Sequence, residues 1–155
     1  MIKTNKVIGI LAIMLMLAVD VQAKKVIKIV TTVESIVPMG IGRSRIIEEK
    51  SEISSKNLTT DRKDGKKSSQ KDVSRKAIKV KKFDETKLLN FYSMTGINFQ
   101  NIASNDAVIS DKLTNLLAEG WELLHVTSAV ESDSGDGDHK GIFVTRFILV
   151  KDIED

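Results

Sequence analysis

The chain has no cysteine, one proline and two histidines, and only 5% of its residues are aromatic. Without cysteine there is no disulfide framework, no thiolate zinc site, no iron–sulfur cluster and no cysteine nucleophile. A lipid-anchored cysteine at a mature amino terminus is excluded as well. His125 and His139 are too few for a multi-histidine metal centre. No cofactor and no metal are expected. What is present is a chain of 155 residues, 41% hydrophobic and 29% charged, with 24 Lys+Arg against 21 Asp+Glu. That length suits one domain of roughly 100–200 residues.

Long apolar runs are scarce too. The longest, Val7 to Val19, follows Lys3 and Lys6 and is ended by Asp20, after which comes Val21-Gln22-Ala23. A basic start, a short apolar stretch and small or apolar residues before a cut are the parts of a secretory signal peptide. The run is shorter than the ~20 residues that a membrane span needs. Residues 1–23 are therefore read as a signal peptide, and the mature chain is expected to start at Lys24 without a transmembrane span. Its expected place is the periplasm or the outside of the cell.

Lys24 to Ser35 is nearly all β-branched between its lysines and reads as a strand, covered on both faces for part of its length. Pro38, Gly40 and Gly42 then make an irregular loop that carries Arg43 and Arg45. Residues 24–47 thus form a first strand and a Gly/Arg loop. Residues 48–76 hold nine Lys/Arg and six Asp/Glu, with only Ile53, Leu58 and Val73 as large apolar residues. Such a segment cannot offset the entropy of ordering, so it reads as a flexible charged insertion. A hairpin turning at Asp64-Gly65 is the equal alternative.

Residues 77–155 read as an α+β unit forming one domain with 24–47. Ala77 to Phe83 alternates and suits an edge strand guarded by lysines. Asp84 is placed to cap a short helix with Leu88, Phe91 and Tyr92 on one face and Gly96 at its end. Ile97 to Ile102 looks extended. The clearest helix is Asn105 to Glu119, capped by Ser104, with Ile109, Leu113, Leu116 and Leu117 as one stripe. Gly120 is its natural stop. Trp121 to Val130 and Gly141 to Val150 form an antiparallel hairpin across a polar, Gly-rich turn. The expected fold is α+β: a small antiparallel sheet with one main helix, and room for a second short one, packed on one face. Its core is expected from Ile27, Ile29, Val33, Ile109, Leu113, Leu116, Trp121, Leu123, Phe143 and Phe147.

The segment Leu116-Leu117-Ala118-Glu119-Gly120-Trp121-Glu122-Leu123-Leu124, followed by a hairpin ending Gly141-Ile142-Phe143-Val144-Thr145-Arg146-Phe147, resembles a family of short bacterial domains of unknown function. Their mark is a helix running into Gly-Trp-Glu-Leu, a strand, a variable turn and a last strand with aromatic and basic residues. The longer pattern is similar to secreted bacterial proteins with a Gly-Arg-Ser-Arg segment and a charged insertion. The resemblance implies a small α+β fold and no catalytic residues.

Few motifs carry chemistry. Gly40-Ile41-Gly42-Arg43-Ser44-Arg45 sets two guanidiniums beside backbone that could cradle an anion, but it lacks the remaining glycine or Lys-Ser/Thr of a nucleotide loop. Asp133, Asp136 and Asp138 fail the EF-hand pattern, because Lys140 and Phe147 stand where oxygen ligands belong. Ser128 or Ser132 with His125 or His139 has no nucleophile elbow. Residues 24–103 hold 18 Lys/Arg against nine Asp/Glu, and residues 104–155 hold four against 11. In the insertion the lysines alternate with acids and stacking aromatics are absent, so no nucleic acid is expected, and the two parts attract each other within one chain or in a homo-oligomer. The expected function is a non-catalytic binding or interaction module of the cell envelope, with Arg43, Arg45 and Arg146 meeting a protein or anionic ligand. The alternative is a small hydrolase or other enzyme using the Arg43/Arg45 loop. Amino-terminal sequencing of envelope-fraction protein should begin at Lys24; an intact Met1 in the cytoplasm would refute export.

Overall fold

The computed structural model describes residues 24–37, 43–131 and 141–153. The signal peptide read at 1–23, the glycines Gly40 and Gly42, and the aspartate turn at 132–140 lie outside the described residues. Two compact units are formed, 24–26 with 152–153, and Ile27–Lys151. In the first, Lys25 Nζ meets Asp152 Oδ1 at 2.8 Å. The helices and the core lie in the second.

In chain order the elements are β1 (Lys24–Ser35), β2 (Arg45–Glu49), a short α1 (Arg75–Ile78), β3 (Phe83–Lys87), β4 (Tyr92–Ser93), β5 (Gly96–Ile97), α2 (Phe99–Ala118), β6 (Glu122–Glu131) and β7 (Ile142–Ile153). Five strands make an antiparallel sheet of order β3-β2-β1-β7-β6, and β4 pairs with β5 in a separate hairpin. This is the expected α+β architecture with one main helix.

The best-read parts are the first strand, the final hairpin and the helix stop. β1 spans the residues expected from its β-branched run. After α2, Gly120 takes φ 87°, its N–H bonds to Leu117 O, and Trp121 N–H bonds back to Leu116 O. These two bonds form a Schellman motif, in which glycine avoids the Cβ clash of the left-handed region. The chain is thereby turned from helix directly into β6.

The stretch between β2 and α2 departs from expectation. Glu48 and Glu49 belong to β2, and three single 3₁₀ turns at Ser55–Leu58, Lys63–Gly65 and Gln70–Asp72 follow. No strands flank Asp64-Gly65; both residues take positive φ inside one of those turns. The strand expected at Ala77–Phe83 begins only at Phe83, and the helix expected after Asp84 does not form. Leu88, Phe91 and Tyr92 have helical spacing, but each has its own destination. Leu88 enters the core, Phe91 tilts against Phe143 with ring centroids 5.8 Å apart, and Tyr92 starts the small hairpin. The main helix starts earlier than expected. Asn98, not Ser104, is its cap, accepting from Asn101 N–H at 3.2 Å. Ser104 sits one turn inside and donates to Gln100 O at 2.8 Å, a local bond that mid-helix serines commonly make.

One face of the sheet is closed by α2. Val30, Ile46, Leu88, Leu116 and Leu149 are buried together, with Val108, Ile109, Trp121 and Phe147 packed against them. The expected core is corrected accordingly: Ile27, Ile29, Leu123 and Phe143 are exposed. Strand alternation explains the two isoleucines. Val30 faces the helix, so its odd-numbered neighbours face away. Trp121 is half-buried rather than enclosed.

A polar clamp completes the packing. Asn105 is 1% exposed on α2. Its Oδ1 accepts from Leu89 N–H at 2.8 Å, and its Nδ2 donates to Leu89 O at 2.8 Å and Glu34 Oε1 at 2.9 Å. The side chain thus substitutes for a neighbouring strand at Leu89. Asn105→Leu should cost about 3 kcal/mol, because it strands buried polar groups that must otherwise be solvated. Urea denaturation should show a lower midpoint with unchanged slope; a midpoint equal to the parent would refute the clamp.

Candidate functional site

Two regions gather charged and apolar side chains, one on each face of the sheet. On the helix face, Glu48 is buried between β2 and α2. Lys28 Nζ reaches its Oε1 at 2.7 Å, Lys50 Nζ reaches the same oxygen at 3.1 Å, and Lys112 of α2 pairs with Oε2. Lys50 also lies 3.4 Å from Asp84 Oδ2. Burial pushes the Glu48 carboxyl up, but the hydrogen bonds from Lys112, Lys28 and Lys50 outweigh it and hold the group down at about 2. Lys28 Nζ also stands 5.0 Å from the centre of the Trp121 ring, with Lys151 Nζ on that ring at 6.0 Å.

A cleft of about 600 Å³ opens beside this cluster, with Ile27, Lys28, Ile29, Lys50, Ile53 and Trp121 among its walls. It lies where β2 has left β1, since β2 pairs only with Val30 to Val33. A separate, open apolar hollow of about 270 Å³ is lined by Ile36, Phe91, Tyr92, Ile97, Ile102 and Phe143.

The other face of the sheet has no helix over it among the described residues. Ile47 on β2 and Val144, Ile148 and Val150 on β7 are half-buried there, beside the exposed Ile27 and Ile29 of β1. Arg45 and Arg146 point to this face, because their neighbours Ile46 and Phe147 pack toward α2. Arg45 pairs with Glu85 of β3, and Arg146 stands opposite Thr127 of β6. The two arginines are on strands separated by β1. Arg43 is exposed just before β2. The structure therefore puts two of the three expected arginines on one face and spaces them apart, rather than converging them in one pocket.

Among the described residues, catalytic groups do not assemble around them. Arg45 shares a hollow of about 170 Å³ with Ser44, Glu85 and Lys87. Ser44 is buried, and its Oγ donates to Asn90 Oδ1 at 2.7 Å while accepting from Ser35 N–H at 2.9 Å. Ser128 Oγ lies 2.7 Å from Thr145 Oγ1 on the next strand. His125 is exposed on β6, opposite Ile148. Ser132, His139 and the three aspartates lie outside the described residues. Among the described residues no group of acids or histidines is spaced to hold a metal, and no helix is long and apolar enough to cross a membrane.

Glu48 and Lys112 were not singled out by sequence. Glu48 falls at the start of a highly charged stretch, where one buried carboxylate looks like its solvated neighbours. Its only signal is position, two residues after Ile46 on the same strand face.

No family model, curated protein or solved structure matches the chain.

The depressed Glu48 group makes stability depend on acid. A carboxyl lowered on folding stabilises the fold above its unfolded value near 4.5, and that contribution is lost as pH falls toward 2. Solvent reaches the three lysines, so the contribution is on the order of 2 kcal/mol. Urea midpoints followed from pH 6 to pH 2 should fall across this window, and Glu48→Gln should start lower and flatten that part of the curve. A parental slope in the Gln variant would refute it.

Proposed function

We propose that the chain is an exported, non-catalytic interaction module of the cell envelope, and that the sheet face away from α2 receives a protein partner. The observation that carries this is the uncovered apolar surface itself. Ile27 and Ile29 are 55% and 48% exposed on β1, just beyond the stretch that pairs with β2, where a monomer gains nothing by showing them to water. Arg45 and Arg146 border that surface. Apolar centre and arginine rim match the composition of protein contact surfaces, and arginine suits carboxylates on the opposing side. The partner this face fits presents apolar side chains ringed by Asp or Glu. The basic start and short apolar run of residues 1–23 support export.

The enzyme alternative needs a nucleophile beside a base. Ser44, the hydroxyl next to Arg43 and Arg45, is buried with its Oγ committed to two hydrogen bonds. A photo-crosslinking residue at Ile27 should trap one envelope protein, identified by mass spectrometry. Ile29→Glu or Arg146→Glu should abolish the adduct without changing the melting temperature. Undiminished adduct in both variants would overturn the sheet-face reading.

A further inference from the structure

The two edges of the sheet are built differently. β3 is five residues long, and Asp84, Glu85 and Lys87 make it poor material for another strand. β6 is ten residues long, Glu122 to Glu131, with every residue exposed, no lysine and no proline. Exposed, flat, apolar edges are the ones that recruit a further strand, and natural edges are usually guarded by lysine, proline, bulges or shortness. β6 has one such guard, a bulge between Leu123 and His125. The seven residues from His125 to Glu131 lie beyond it.

We infer that β6 pairs antiparallel with β6 of a second copy of this chain, about a twofold axis at Ser128. The register follows from the residues. Centring on Ser128 uses the whole bulge-free stretch and sets Val126 opposite Val130 of the other copy, Thr127 opposite Ala129, and His125 opposite Glu131. Centring two residues earlier runs the bulge into the ladder. An offset that uses all ten residues sets Glu122 opposite Glu131, and like charges directly opposite destabilise a strand pair. The Ser128 register instead sets an imidazole against a carboxylate at both ends. On β6, Val126, Ser128 and Val130 lie on the helix side, because they pair with Phe147, Thr145 and Phe143. Opposite residues share a face, so the dimer forms one ten-stranded sheet with both α2 helices on the same side. The two uncovered faces join into a single surface. The pairing is independent of what that surface binds.

The absence of cysteine makes the register directly readable. Residues directly opposite in an antiparallel pair have Cα atoms about 4.5–5.5 Å apart, within disulfide range. In the full purified chain, Ser128→Cys should oxidise to a covalent dimer. Val126→Cys alone should give no covalent dimer, and a mixture of Val126→Cys with Val130→Cys should give the disulfide-linked heterodimer. His125→Glu should weaken self-association in sedimentation by roughly 2- to 30-fold, from two symmetry-related pairs, and adding Glu131→Lys should restore it. Ile29→Glu should leave the Ser128→Cys dimer intact, which separates this proposal from the sheet-face reading. If Ser128→Cys crosslinks no faster than an exposed control, Ser69→Cys, the pairing is wrong. If Val126→Cys crosslinks alone, or the charge exchange fails to rescue, the register is wrong.

Discussion

A single helix has to close one face of a five-stranded sheet, and everything else follows from that shortage. α2 spans 20 residues, a length of about 30 Å, but a single helix is only about 10 Å across, the width of about two strands. Among the described residues the buried set is correspondingly small, five apolar side chains drawn from β1, β2, the residue after β3, α2 and β7. The end of the helix meets only the start of β6, and no helix covers the opposite face of the sheet among the described residues.

With so small an apolar core, polar contacts fix where the helix sits. Glu48 holds the carboxyl-terminal half of α2 through Lys112 and β1 through Lys28. Asn105 holds the amino-terminal half by bonding to both polar groups of the Leu89 peptide. These contacts specify position more than they supply net energy, since a buried ion pair offsets much of its attraction by lost hydration. Removing one partner is therefore costly even though the pair itself contributes little. The same logic explains why the Trp121 ring lies half-open under two lysines. Its role is to cover the aliphatic stems of charged residues at the helix end as well as to fill the core.

The sequence carried strand existence well and strand orientation poorly. The β-branched run of β1, the final hairpin and the glycine stop after α2 are local signals, and they describe the molecule. Which row of β1 faces the helix is not local. Val30 and Thr32 on one side, Ile29 and Val33 on the other, are equally β-branched, so only the helix decides between them. The helix start was obscured because Ser104 offers a capping side chain inside a segment that Asn98 already caps. The apolar spacing of Leu88, Phe91 and Tyr92 imitates a helix although each residue serves a different contact. Of the three arginines singled out, Arg45 and Arg146 share a face because both alternate against core residues. Glu48 and Asn105 were hidden for the opposite reason: their residue types are ordinary on a surface, and only burial makes them important.

The order of strands sets when this fold can be completed. β1 and β7 are neighbours at the centre of the sheet, yet they are the first and last strands in the chain. Their pairing closes a loop of about a hundred residues, a contact of the slowest kind to form. Until β7 has emerged from the ribosome, β1 has only β2 beside it and Val30 has no Leu149 to meet. An incomplete chain therefore cannot close its core, which waits on the last strand to be made.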